Sequence, residues 1–154
     1  MSKSEAVGKA LIELADLANC ASNDFHMLHL NVFGATFDAI HEVLKKYYEE
    51  AANDYDSLAE LARMSEVPVP NAVGSAERIH YEGIEGNLYD CAQCIDFIDI
   101  VLVRIVSNYT GLFNILNDLN SPKAIGASNF LQGRLEYWVK ELCFFNHNRK
   151  DRQE

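Results

Sequence analysis

The segment from His29 to Glu60 reads HLNVFGATFDAIHEVLKKYYEEAANDYDSLAE, and its spacing decides how the rest of the chain is read. His29 stands twelve residues before His41, Asp56 fifteen after His41, and Glu60 four after Asp56. Two imidazoles and two carboxylates form a donor set suited to a hard-to-borderline divalent metal such as iron, manganese or zinc. The turn Asn31-Val32-Phe33-Gly34-Ala35 interrupts an otherwise helical pattern, so His29 falls near the end of one helix and His41 in the first turns of the next. Across a helical hairpin these two can face each other. Asp56 and Glu60, at i and i+4, share a face of the second helix. His41 and Asp56 lie on that same helix, where fifteen residues at the α-helical rise separate them by about 22 Å. One chain therefore cannot close all four on one ion. Across a two-fold axis an antiparallel copy of the helix brings the partner's Asp56 and the partner's Glu60 over His29 and His41, which describes a metal site shared between two subunits.

The pattern H-x11-H-x14-D-x3-E, with N-V-x-G-x-x-F between the histidines and D-S-L-A-E at its end, closely resembles the Dps family of miniferritins (DNA-binding proteins from starved cells). The specific part of the resemblance is confined to about residues 25–63, while length and helix order match over nearly the whole chain. The resemblance implies an all-α, ferritin-like four-helix bundle and a hollow, dimer-based shell of twelve subunits. It further implies oxidation of iron(II) by peroxide or oxygen at dimer-interface sites, with ferric iron stored inside as part of iron homeostasis and protection against oxidative stress. By the same resemblance His29 and His41 of one subunit, with Asp56 and Glu60 of its two-fold neighbour, are both the metal ligands and the catalytic residues of a ferroxidase.

Two positions depart from the family pattern. An acidic residue usually follows the second histidine by four positions and helps to hold a second iron; here it is Lys45, an ammonium that repels a cation. The aromatic residue usual after the first histidine is Leu30. Both favour one metal per site over two, and binding over fast oxidation. They keep open a shell that binds zinc or manganese and oxidises nothing.

Composition bounds the remaining choices. At 154 residues and 17.4 kDa the chain is one domain, 1–154, large enough for a real core, and 49% apolar residues are too many for a disordered chain. No apolar run reaches the length needed to cross a bilayer. The opening MSKSEAVGKALIELADL has acids inside its apolar segment and no small-residue cleavage signal, so it does not read as a secretory peptide and the cytoplasm is expected. The four cysteines are then expected to be reduced, with Cys91-x-x-Cys94 lining the core and Cys20 and Cys143 buried. A net charge of −10 opposes DNA binding. Candidate basic arms are weak: Lys3 and Lys9 at the start, and Arg149, Lys150 and Arg152 interleaved with Asp151 and Glu154 at the end.

Four helices are expected, at about 4–32, 36–64, 87–119 and 122–146. In the first, Val7, Leu11, Leu14, Leu17, Ala18, Ala21, Phe25 and Leu28 form the apolar stripe. In the second, the stripe is Phe37, Ile40, Leu44, Tyr47, Ala51, Tyr55, Leu58 and Ala62, with Thr36 as N-cap. His41, Lys45, Tyr48, Ala52, Asp56 and Glu60 run along an adjacent face, which fits a helix that also meets a partner. Val67-Pro68-Val69-Pro70 ends that helix. Residues 71–87 then form the long crossover that a ferritin-like bundle requires between its second and third helices, with one short helical turn at 75–82. Glu77-Arg78-Ile79-His80 is a single E-x-x-H in that connection; without a second copy it cannot build a di-iron site inside the bundle. The run IDIVLVRIV is β-branched, but its periodic flanks make it helical, from Leu88 and Cys91 onward. Ser121-Pro122 opens the last helix, whose inward residues are Ile125, Leu131, Leu135, Trp138, Val139, Leu142 and Phe145.

Overall fold

The computed structural model describes the backbone of residues 1–153 and the side chains of residues 1–146, so the basic residues Arg149, Lys150 and Arg152 lie outside the described side chains. Four long helices dominate: α1 (Lys3–Asn31), α2 (Phe37–Met64), α4 (Cys91–Leu119) and α5 (Pro122–Gln153). Between α2 and α4 the chain crosses the bundle through a 3₁₀ turn at Ala72–Gly74, the short α3 (Ser75–Arg78) and an extended segment. This is the all-α four-helix bundle with a crossover and a short helix that the sequence led us to expect. No helix among the described residues is long and apolar enough to cross a membrane.

Local chemistry sets the helix ends. The Ser2 hydroxyl caps α1 by accepting from the Glu5 N–H. Thr36 occupies the N-cap of α2, but its side chain makes no capping bond. The third long helix starts at Cys91 rather than near residue 87, because Asp90 forms a capping box. Its carboxylate accepts from Gln93 N at 2.8 Å, and the Gln93 amide oxygen accepts from Asp90 N at 2.9 Å. The Ser121 hydroxyl accepts from Ala124 N at 3.2 Å and starts α5 at Pro122.

The core is one apolar cluster drawn from the inward stripes, with Trp138, Tyr109, Phe25, Leu28, Leu44, Leu58, Ile98 and Leu102 fully buried. Each such side chain contributes roughly 1.5–3 kcal/mol of transfer free energy. Several residues expected inside are not. Phe37 is exposed at the mouth of the hairpin, and Leu88 precedes the helix and faces solvent. Ile125 and Val139 are exposed because the buried stripe of α5 runs through Ala124, Ala127, Leu131 and Trp138. Each sits one residue past a stripe member, about 100° round the helix. Cys143, expected to be buried, is exposed on the same helix, whereas Cys20 and Cys94 are buried and Cys91 partly so.

Two acids on α1 hold the crossover in place. Asp16 accepts from Ser75 Oγ at 2.7 Å and takes a two-point grip from Arg78, at 2.9 Å from Nε and 2.7 Å from Nη2. Asp24 accepts from Tyr81 OH at 2.7 Å and from Ile84 N at 3.1 Å. Arg78 of the Glu77–His80 motif is thus a structural clamp. Gly8 lets the chain after α2 lie against α1, since a Cβ there would stand 2.4 Å from Val67 Cγ2.

Candidate metal centre

The hairpin that carries the two histidines is pinned from outside. Val32 and Phe33 leave the helix as β1 and pair in parallel with β2 (Tyr89–Asp90), Val32 with Tyr89 and Phe33 with Asp90. Gly34 follows at φ +125, a conformation L residues rarely adopt, and a Cβ there would stand 3.3 Å from Cys91 Sγ. These constraints return the chain into α2 with His29 and His41 side by side.

The two imidazoles hold each other. His29 Nδ1 lies 2.9 Å from the His41 carbonyl oxygen, and His41 Nδ1 lies 2.9 Å from the His29 carbonyl oxygen. A carbonyl oxygen only accepts, so Nδ1 is the protonated nitrogen in both rings and Nε2 carries the lone pair of the neutral imidazole. The exchange also satisfies the His29 carbonyl, one of those that the last turn of a helix leaves without an intrahelical donor. A backbone carbonyl on Nδ1 is the partner that orients a metal-binding histidine and raises its basicity. The rings stack with centroids 3.6 Å apart and planes 18° from parallel. Phe37 stacks on the far side of His41 at 4.8 Å. Tyr48 sets its ring edgewise to His29 at 5.2 Å, and His26 stacks on Tyr48 at 4.1 Å. His29 is 9% exposed. The two Nε2 lone pairs are thus presented from nearly parallel, stacked rings.

Asp56 and Glu60 are both exposed on α2, as is Lys45, one turn after His41. The helix is continuous from Phe37 to Met64, so the span of about 22 Å from His41 to Asp56 at the α-helical rise stands. The chain brings the histidines together and the carboxylates together, and keeps the two pairs apart. Among the described residues no three His, Cys, Asp or Glu side chains gather where they could hold one ion. The face that links the pairs, His41, Lys45, Tyr48, Ala52, Asp56 and Glu60, is exposed or half-buried, while Ile40, Leu44, Tyr47, Ala51 and Leu58 are buried.

Under the carboxylate pair lies a group that sequence reasoning missed. Asp54 is 2% exposed. Its Oδ2 accepts from Tyr109 OH at 2.7 Å and from Trp138 Nε1 at 2.8 Å, and its Oδ1 is ion-paired with Arg134 Nε at 2.6 Å. Arg134 also reaches Glu50 at 2.7 Å. Burial pushes the Asp54 carboxyl above its ordinary range, and its donors and Arg134 offset this in part. The network ties α2 to α4 and α5 and sets the rotation at which Asp56 and Glu60 leave the helix. The signal was present: Asp54 is three residues after Ala51 and four before Leu58, an acid on the apolar stripe.

No protein family matches the sequence, and no curated protein matches it by sequence. Solved structures do match. A Dps protein from Bacillus brevis superposes with a TM-score of 0.85 at 18% identity, covering 96% of this chain and 98% of its own. Mycobacterium smegmatis Dps gives 0.86 at 16% identity, covering 95% and 88%. The Dps protein of Vibrio cholerae, described as a member of a broad superfamily of ferritin-like diiron-carboxylate proteins, gives 0.84 at 14%, covering 94% and 89%. The bundle, its crossover and these superpositions agree with the resemblance read from the histidine–carboxylate pattern: this chain has the fold of the Dps proteins.

Proposed function

We propose that the chain is a single-domain, cytoplasmic miniferritin. In this role it dimerises through the exposed face of α2, assembles further into a shell of twelve subunits, oxidises iron(II) at two intersubunit sites per dimer and stores the ferric product. The observation that carries this is the reciprocal clasp of His29 and His41. It directs both protons onto backbone carbonyls and leaves two Nε2 lone pairs, and among the described residues no carboxylate of the same chain gathers with them to complete a site. Asp56 and Glu60 are the complementary half, exposed at the other end of the same helix. An antiparallel copy of α2 brings the halves together.

Iron(II) is the substrate. His29 and His41 supply neutral nitrogen donors, while the partner's Asp56 and the partner's Glu60 supply negative charge that favours iron(III) over iron(II). Each iron(II) gives up one electron and peroxide takes two, becoming two waters with two protons, so one peroxide consumes two iron(II). Imidazoles fixed by aromatic packing, His29 buried and His41 half-buried, keep the site from rearranging as the charge changes. Oxidation of this kind removes iron(II) and peroxide together, which is the protective role.

A second reading is favoured by one residue. Lys45 is exposed one turn from His41 and puts a cation where a second metal would need a carboxylate. On that reading the shell binds metal, zinc or manganese included, without oxidising iron. The test is to add iron(II) and limiting hydrogen peroxide and to follow protein and ferric absorbance on a sizing column. Ferric iron co-eluting with a particle many times 17.4 kDa is expected. A large particle free of iron selects the second reading, and a monomer removes both.

A further inference from the structure

Cys91 and Cys94 are not among the residues of the metal centre; Cys94 belongs to the core cluster, as expected, and Cys91 packs against it from the helix start. Cys91 is the first residue of α4, directly after the Asp90 cap, and Cys94 lies one turn in. Helix geometry sets their Cα atoms about 5 Å apart, inside the 4.4–6.8 Å range usual for a disulfide. The two thiols are unlike. Cys91 is partly exposed, with Sγ 3.2 Å from the Phe33 carbonyl oxygen, to which its S–H donates. Cys94 is 0% exposed, and burial, with Cys91 and Asp90 adding to it, pushes its thiol up to about 11. One thiol is reachable at a helix N-terminus and the other is buried behind it. This is the division of labour that dithiol chemistry needs. Among the described residues no third metal-ligating side chain joins them.

We propose that Cys91 and Cys94 are a redox dithiol that reduces a hydroperoxide and closes to a disulfide, with Cys91 as the attacking sulfur and Cys94 as the resolving one. In the first step the Cys91 thiolate attacks one peroxide oxygen. An S–O bond forms, the O–O bond breaks, and the hydroxide that leaves takes up a proton as water. The sulfenic acid formed on Cys91 is then attacked by the Cys94 sulfur. The S–S bond forms, the S–O bond breaks, and the leaving hydroxide takes the Cys94 proton as a second water. Hydrogen peroxide gains two electrons and the dithiol loses two electrons and two protons; a thiol reductant restores it. The disulfide has no S–H, so the Phe33 carbonyl loses its donor and the hairpin turn beside Gly34 registers the oxidation.

The test uses wild-type protein with a chelator present, so that iron contributes nothing, and equimolar hydrogen peroxide. Cleavage after Arg and Lys releases residues 79–104 as one peptide, which holds Cys91 and Cys94 and neither of the other two cysteines. This peptide is expected to lose the mass of two hydrogens and to regain it with dithiothreitol. Cys94→Ser is expected to leave a sulfenic acid on Cys91 that a 1,3-dione traps. Cys91→Ser is expected to slow oxidation at Cys94 at least about tenfold. If peptide 79–104 keeps both thiols, or is cross-linked through Cys143, the proposal is overturned. If Cys94 oxidises as fast in Cys91→Ser as in wild type, the assigned order is overturned. Should either variant fail to fold, the wild-type peptide still decides the disulfide.

Discussion

The two ends of α2 solve the same problem in opposite ways. At its start, His41 is held by its own chain: a carbonyl fixes its tautomer, His29 covers one ring face and Phe37 the other. At its end, Asp56 and Glu60 stand exposed, and what is fixed is the helix beneath them, through Asp54 and its contacts to Tyr109, Trp138 and Arg134. Imidazoles must be oriented in advance because each offers one lone pair in one plane. Carboxylates have several acceptor positions and need only be delivered to the right place. The fold spends its packing on the histidines directly and on the carboxylates indirectly, which suits a site whose second half arrives with another subunit.

The largest effect is expected where the carboxylate end is anchored. Asp54→Ala leaves Arg134 with its buried partner removed and strips Tyr109 and Trp138 of their acceptor, so it is expected to cost roughly 3–5 kcal/mol in a urea titration. Asp56→Ala, exposed two residues away, is expected to stay within about 0.5 kcal/mol of wild type. Equal costs would mean that Asp54 does not anchor this end.

Binding inverts that ranking. His41→Ala and Asp56→Ala are each expected to weaken metal binding by at least about 100-fold, the upper end of what loss of a supporting group alone costs. His41→Ala should lose only about 1 kcal/mol of stability through its hydrogen bond to the His29 carbonyl. Calorimetric titration with iron(II) under anaerobic conditions, or with zinc, reads both. Loss at one end without loss at the other would separate the two halves into independent sites.

A smaller effect follows from protons. The Asp54 carboxyl is raised above 3.8 in the fold. Between that value and the raised one the folded chain therefore holds more protons at this residue than the unfolded chain. Its contribution to stability is full below 3.8 and is lost as pH rises through the raised value. Asp54→Asn cannot titrate, so its urea midpoint is expected to fall less than that of wild type as pH is raised from about 4 towards 7. A steeper fall in the variant would contradict the assignment.

Much of this was legible in the sequence, for reasons that also explain the gaps. Long apolar stripes such as Val7 to Leu28, the prolines at 68 and 70 and the Ser121-Pro122 start carry strong periodic and stereochemical signals, and the bundle with its crossover follows from them. Periodicity does not locate the edge of a stripe, which is why Ile125, Val139 and Cys143 were expected inside. A pairing of two residues, Val32–Phe33 with Tyr89–Asp90, is too short to leave an alternating pattern. The histidine and carboxylate spacing was readable because helix rise turns residue counts into distances. The exchange of Nδ1 protons with backbone carbonyls was not, since it depends on how two antiparallel helices approach. Asp54 was visible as an acid on an apolar stripe and was overlooked beside Asp56.

A site divided between two chains can be rebuilt from two defective ones, and complementation tests that division directly. His41→Ala and Asp56→Ala subunits are unfolded together, refolded as an equal mixture, and titrated with iron(II). In a mixed dimer the Asp56→Ala chain supplies both histidines and the His41→Ala chain supplies both carboxylates, so one of two sites is intact. Random pairing across a two-fold interface is then expected to restore about a quarter of the wild-type sites. If mixed dimers form, as native mass spectrometry shows them, and no site returns, the four residues do not act across the interface.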